Sequence, residues 1–80
     1  MARYVLHHRH ERGDCGVAVA AWRGFRSALR GGSVLSSCRD DGHELWFVVD
    51  AADERTALAL LPPWIGARTR PMRVDERAIP

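Results

Sequence analysis

The segment HHRHERGDC, from His7 to Cys15, concentrates side chains that can bind metal ions. It contains three of the four histidines and one of the two cysteines of the chain. If the chain is extended up to His10, the side chains of His8 and His10 point to the same face and their Cα atoms lie about 6–7 Å apart. Two imidazoles in that arrangement can bind one ion, and a thiolate at Cys15 can join them. The spacing predicts a divalent transition-metal site, of the nickel, zinc or copper type, at His8, His10 and Cys15.

The position of Cys15 admits two interpretations. A thiol in the first turn of a helix is favoured as the thiolate by the helix dipole, which would suit a metal ligand. Cys15 also begins a stripe of apolar residues with helical spacing, so it could instead be a small core residue beside solvated histidines at a strand end. The stripe continues through Ala18, Trp22, Phe25 and Leu29. The chain has no CxxC or HExxH motif that would decide between the two.

Four further residues are candidates for a ligand site or an interface: Cys38, His43, Trp46 and Trp64. Cys38 and His43 flank a predicted turn, where a thiol beside an imidazole could serve nucleophilic chemistry or simply be part of the turn. Trp46 belongs to the most apolar strand and Trp64 to a loop after two prolines. Aromatic side chains in such places can line a cavity or fill an interface between subunits.

Apolar periodicity and turn residues predict six elements of secondary structure. Runs rich in β-branched and aromatic residues predict strands, and an apolar stripe with i, i+3, i+4 spacing predicts a helix. Asp14 and Asp53 are suited to cap the two helices at their N-termini. In chain order the predicted elements are a strand Arg3–His10, a helix from Cys15 to the Gly31-Gly32 pair, a strand Ser33–Cys38, an Asp41-Gly42 turn, a strand His43–Ala51, a helix over Glu54–Leu61 and an edge strand within Thr69–Pro80.

The order β-α-β-β-α-β is that of the ferredoxin-like fold, in the α+β class. It predicts a single domain over residues 1–80, with a four-stranded antiparallel sheet in the order 4-1-3-2 and two helices on one face. We expect the first and third strands to be neighbours that run in the same direction. The histidine-rich edge would then also hold Asp50 and Arg70, while Cys38 and His43 would lie together at the opposite edge.

The strand His43–Ala51 is apolar on both of its faces. Odd and even positions from Leu45 to Val49 are equally apolar, whereas an antiparallel sheet with one face in water should alternate. A second copy of the chain is the simplest cover for the other face, which predicts a homodimer. With its element order, this two-sided strand resembles the dimeric α/β-barrel superfamily, in which two ferredoxin-like protomers pack sheet to sheet.

The chain is also similar to the small nickel-binding ferredoxin-like proteins of actinobacteria. The shared features are the overall length, a strand that opens with Tyr-Val and a cysteine on the first helix. The resemblance implies metal binding, but it implies no particular ligands because no diagnostic motif is shared.

Composition argues against several partners. The twelve basic residues are all arginine, they are spread along the chain, and the net charge is only +2. Nucleic-acid binding usually requires a denser basic stripe, so no nucleic-acid partner is expected. No apolar run approaches the ~20 residues of a membrane span, and the N-terminus does not resemble a signal peptide. We therefore expect no membrane partner, a cytoplasmic location, and both cysteines as thiols.

Two main classes of function remain. The first is a small homodimeric protein that binds a metal ion or small ligand through its histidine-rich strand end, and the cluster favours this class. The second is a small cofactor-free or haem-handling enzyme of the dimeric α/β-barrel kind, with histidine as acid or base. A partner-binding module without chemistry is a third possibility.

Overall fold

A four-stranded antiparallel sheet forms the centre of the molecule. The structure, a computed structural model, describes residues 1–80. Its strands pair in the order β2-β3-β1-β4, which is the order expected from the sequence, and every neighbouring pair is antiparallel. The architecture is α+β, with the element order βαββαβ and short helices, and is roughly ferredoxin-like. The strands are β1 (Ala2–Arg9), β2 (Leu35–Ser36), β3 (Glu44–Ala51) and β4 (Thr69–Val74), and the helices are α1 (Cys15–Ala20), α2 (Glu54–Leu58) and α3 (Pro63–Gly66).

The direction of β3 differs from the sequence-based expectation. β1 and β3 are antiparallel, so the backbone N–H of His10, just after β1, donates to the carbonyl of His43, just before β3, at 3.1 Å. Asp50 lies at the other end of the pair, opposite Arg3. The reason is topological: a helical crossover makes β1 and β2 run the same way, and the tight connection after β2 then reverses β3. The expected parallel arrangement was wrong, and the edge that holds His10 also holds His43.

The core lies between one face of the sheet and the helices. Alternate residues of β1, from Tyr4 through Leu6 to His8, are buried on this face, as period-two side-chain alternation requires. Ile65 of α3 is fully buried against them. The hydrophobic core consists of Tyr4, Leu6, Phe47, Val49, Ala51, Ala57, Leu61 and Ile65.

α1 is much shorter than the helix expected up to the Gly31-Gly32 pair. It contains six residues, and the chain then continues in turns and irregular segments to β2. Gly24 has a positive φ of 72°, a left-handed conformation that interrupts a right-handed helix and that glycine adopts readily. Trp22 and Leu29, predicted on the core face of that helix, still pack against the core.

The start of α1 and the lengths of the second and last strands also differ from the sequence-based expectation. Asp14 occupies the N-cap position of α1, but its side chain makes no capping hydrogen bond. The chain enters α1 from a single 3₁₀ turn, Arg12–Asp14, and so lacks the extended N-cap conformation that such a bond needs. The second strand is confined to two residues, and the last strand ends at Val74.

None of the helices has the length and apolar character required to span a membrane.

Asp53 caps α2, as the sequence predicts. Its Oδ1 accepts a hydrogen bond from the backbone N–H of Thr56 at 2.8 Å, and this bond lowers the pKa of the Asp53 carboxyl below its ordinary value. Because the folded-state pKa is the lower one, the stabilisation is present above the unfolded pKa of about 3.9. It is lost as the pH falls through the folded-state pKa.

We expect Asp53→Ala to lower the free energy of unfolding at neutral pH. Asp53→Asn, which keeps a capping oxygen, should lower it much less. The difference between wild type and Asp53→Asn should shrink in acid, because protonation removes the charge that distinguishes them. Urea unfolding of the three proteins between about pH 7 and about pH 2 checks both points. Equal stability of Asp53→Ala and wild type at neutral pH would contradict the capping role.

Candidate metal centre

Four side chains with metal-binding atoms converge at one edge of the sheet: His10, Cys15, Cys38 and His43. One ligand atom from each lies within 4.8 Å of the others. Each residue comes from a different part of the fold. His10 follows β1, Cys15 begins α1, Cys38 begins the 3₁₀ turn after β2, and His43 precedes β3. The antiparallel pairing of β1 with β3 is what brings the four together.

The distances within this four-residue cluster fit a tetrahedral ion. Nε2 of His10 lies 3.4 Å from Sγ of Cys15 and 3.7 Å from Sγ of Cys38, and Nδ1 of His43 lies 3.3 Å from Sγ of Cys15. Bonds of about 2.3 Å to sulfur and about 2.0 Å to nitrogen, at tetrahedral angles, place neighbouring donor atoms about 3.5 Å apart. The side chains therefore already stand near the separations that a bound zinc-type ion requires.

Asp41 orients the imidazole of His43. Nε2 of His43 lies 2.5 Å from Oδ1 of Asp41, and a carboxylate can only accept, so this nitrogen carries the proton. Nδ1 is then left with its lone pair directed at Cys15. A carboxylate behind a histidine is the usual arrangement in metal sites, where it fixes the tautomer and strengthens the ligand.

His8 orients the imidazole of His10 in a similar way. Nδ1 of His8 lies 3.2 Å from the carbonyl of Ile65 and 3.2 Å from Oγ1 of Thr69. The hydroxyl of Thr69 donates to that same carbonyl at 2.6 Å, so both partners of His8 Nδ1 act as acceptors and Nδ1 must be the donor. Nε2 of a neutral His8 then accepts from Nδ1 of His10 at 3.0 Å, which leaves the lone pair of His10 Nε2 facing the thiols.

Burial keeps His8 neutral. The residue is fully buried, and desolvation lowers the pKa of its imidazole below the ordinary 6.5; the hydrogen bond to Ile65 opposes the shift, and the positive charge of Arg68 adds to it. A neutral imidazole is the form that the relay to His10 requires. The chain Ile65–His8–His10 thus selects one tautomer at each ring without any charged group.

The pKa of the Cys15 thiol is raised, contrary to the expectation that a helix N-terminus would lower it. The main causes are desolvation and the neighbouring thiol of Cys38. α1 has only six residues, and its dipole does not outweigh these effects. A cation between the two sulfurs would reverse the balance, because metal coordination stabilises the thiolate, so metal binding at neutral pH should release protons.

The backbone around His43 is shaped for the cluster. Asp41 and His43 both have positive φ, at 62° and 54°, which is costly for residues with a side chain and is found where other contacts enforce it. Gly42 between them packs so closely on Ser37 that an added Cβ would lie 2.3 Å from its Oγ and 2.6 Å from its Cβ. The N–H of Gly42 donates to the carbonyl of Ser37 at 2.9 Å. This tight turn fixes the distance between the Cys38 and His43 ends of the hairpin.

Of the three ligands predicted from the sequence, two belong to the cluster and one does not. His10 and Cys15 are members, whereas His8 is not a member but is hydrogen-bonded to His10. Cys38 and His43 join the cluster, although sequence analysis placed them at the opposite edge. The missed pattern is a repeated spacing: five positions separate His10 from Cys15, and five separate Cys38 from His43.

The two tryptophan candidates lie outside the cluster. Trp46 stacks on the ring of His7 across the strands, with centroids 5.3 Å apart and planes 5° from parallel. Trp64 lies 6.0 Å from the ring of His8 and carries the guanidinium of Arg68 4.0 Å above its own ring. Trp46 is on the sheet face away from the core and Trp64 supports the buried His8.

We expect His8→Gln to weaken metal binding by about 10–100-fold, the usual effect of losing a group that orients a metal-binding histidine. If cobalt(II) is bound as a spectroscopic probe in place of the natural ion, its absorption spectrum should not change, because the four donor atoms remain. His43→Ala should change the spectrum as well as the affinity. A spectral change in His8→Gln equal to that in His43→Ala would mean that His8 is itself a ligand.

No protein-family model, curated protein or solved structure matches the chain. The interpretation of the site therefore depends on its own geometry.

Proposed function

We propose that this protein binds one divalent ion of the zinc type through His10, Cys15, Cys38 and His43. The observation that carries the proposal is the cluster itself: two thiols and two imidazoles at tetrahedral separations, with both imidazole lone pairs directed at the thiols. Two sulfur and two nitrogen donors in tetrahedral order suit zinc better than copper(II) or nickel(II), which prefer square-planar sites.

Four protein ligands leave no coordination position for substrate, which is typical of a structural ion. A structural ion would add stability that this chain needs. Only 11 of its 80 residues are buried, and small domains with thin cores commonly depend on a metal or disulfide. The bound ion would hold together the ends of β1 and β2, the start of α1 and the start of β3.

Cobalt(II) as a spectroscopic probe tests the proposal. The metal-free protein, titrated with cobalt, should show thiolate-to-cobalt charge transfer and tetrahedral d–d bands that saturate at one ion per chain, and zinc should displace the cobalt. Cys38→Ser and His43→Ala should each weaken binding by at least about tenfold. His7→Ala is the matched control, since His7 contacts Glu44 at 2.7 Å on the other face of the sheet. Octahedral bands, or equal effects of the control, would overturn the proposal.

We also propose that the protein forms a homodimer through the sheet face opposite the helices. Strand pairing brings apolar side chains together on this face, and they remain exposed: Leu35 by 70%, Val48 by 59% and Met72 by 43%. Charges of both signs flank the patch, with the Arg3–Asp50 pair at one end and Glu44 beside Arg9 at the other. A two-fold axis places like patches against each other, and mixed charges at each end permit such self-pairing.

Val48→Arg should convert the dimer into a monomer, because a charge would be buried without a partner at the centre of the apolar face. Val17→Arg is the matched control: Val17 is another exposed valine, on α1. Light scattering at micromolar concentration should give twice the chain mass of 9.0 kDa for wild type and Val17→Arg. A wild-type mass of one chain would contradict the dimer.

A further inference from the structure

An apolar cleft opens beside the metal cluster. It has a volume of about 620 Å³ and lies between the segment from α1 to β2 and the adjoining part of β3. This volume is in the range of small-molecule sites, about 300–1,000 Å³. The cleft is lined at one end by His10, Cys15 and Cys38.

The walls of the cleft are mainly hydrophobic. Eleven of the 17 lining residues are hydrophobic, among them Trp22, Leu29 and Phe47, so an apolar group inside would lose water on several sides. Val19 and Val34 also line the cleft and are exposed by 75% and 38%, which shows how much apolar surface the chain leaves open there. A strongly polar ligand such as a nucleotide would find few partners in it.

The charge around the cleft has one sign. Arg30 is the single charged residue of the lining, apart from the titratable histidine and thiols, and no carboxylate faces the cleft. Its side chain is exposed and donates to the carbonyl of Phe25 at 3.2 Å, which leaves other guanidinium N–H groups free. Ser33 and Ser36 also line the cleft, and their hydroxyls can donate hydrogen bonds. An anionic group beside Arg30 would therefore meet a cation, with no carboxylate in the lining to oppose it.

We propose that this cleft binds a small apolar carboxylate, with the hydrocarbon part inside and the carboxylate at Arg30. The inference stands apart from the metal proposal, because the apolar walls and Arg30 are present whether or not an ion is bound. A zinc ion with two thiolates and two neutral imidazoles carries no net charge, so it would close one end of the cleft without attracting or repelling the ligand.

Decanoate, decanol and decylamine form a matched set of probes, used below their micelle concentrations with both metal-free and zinc-saturated protein. Titration calorimetry should show binding of decanoate in both forms, weaker binding of decanol and still weaker binding of decylamine. The intrinsic tryptophan fluorescence should change with the same saturation curve, because one of the three tryptophans, Trp22, lines the cleft. Arg30→Gln should weaken decanoate binding by up to about fivefold, the size expected for one exposed ion pair, and should leave decanol unchanged.

Ala28→Trp provides the second arm, because Ala28 lines the cleft and is exposed, so a large side chain there fills the cleft without disturbing the core. Ala59→Trp is its control, at an exposed position outside the lining. Loss of decanoate binding in Ala28→Trp with retention in Ala59→Trp supports the site. Absence of decanoate binding in wild type, equal binding in both variants, or equal affinity for all three probes overturns it. The cobalt titration fails or succeeds independently of these results.

Discussion

Removal of the bound ion should lower the thermal unfolding temperature by at least about 15 °C. An ion that binds only the folded chain stabilises it by about 4 kcal/mol when its free concentration is about a thousand times Kd. For a domain of this size, each kcal/mol corresponds to roughly 4–8 °C. Circular dichroism melts of the zinc-saturated protein, with and without a chelator, measure the difference.

The double variant Cys15→Ser, Cys38→Ser is the control for this experiment. It keeps two small polar side chains but removes both sulfur ligands. It should melt close to the metal-free wild type, and neither zinc nor chelator should move its transition. If chelator leaves the wild-type transition unchanged, or shifts the double variant equally, the ion does not hold the fold together.

Gly42→Ala should impair both folding and metal binding. A Cβ at this position would lie 2.3 Å from Oγ and 2.6 Å from Cβ of Ser37, and 3.2 Å from its carbonyl oxygen. The Cβ of Ser37 cannot rotate away, so the turn that presents His43 must move. Overpacking of this kind costs about 1–3 kcal/mol. We expect that loss in the free energy of unfolding, and at least about tenfold weaker metal binding because the His43 ligand is displaced.

Gly16→Ala is the matched control for Gly42→Ala. A Cβ at Gly16 would meet nothing within 4 Å, and Gly16 lies inside α1, where alanine is favoured over glycine by about 0.5–1 kcal/mol. Gly16→Ala should therefore be neutral or stabilising. Adding Ser37→Gly to Gly42→Ala should restore part of the lost affinity, since it removes the two closest atoms. Equal behaviour of Gly42→Ala and Gly16→Ala in urea unfolding and cobalt titration would refute the close packing of the turn.

Sequence patterns predicted the sheet better than the helices. The apolar strand around Phe47 and the histidine strand are each determined by local β-forming residues, and the expected sheet order 4-1-3-2 is confirmed. The first helix ends at Ala20, and the left-handed Gly24 that follows keeps the chain from continuing as a helix along the apolar pattern. Periodicity alone does not reveal a single backbone conformation of that kind.

The site was predicted in part, and the failure has a definite cause. His10 and Cys15 are close in the sequence, so local geometry suffices to place them together. Cys38 and His43 reach the same point only through the direction of β3, and one wrong strand direction moved them to the far edge. The role of His8 depends on Ile65 and Thr69, whose contacts with it span more than fifty residues of chain and leave no local pattern.

The two sulfur donors, Cys15 and Cys38, stand at the two ends of one stretch of chain that contains little regular structure beyond α1. Closing such a loop mainly reduces the freedom of the unfolded chain, and this effect grows only slowly with loop length. Because both sulfur ligands lie at the ends of the stretch, ion release would make its transient local opening easier, while β1 and β3 keep their ladder. Local opening of this stretch and global unfolding of the domain become separable events, because the ion opposes both whereas the β1–β3 ladder opposes only the second.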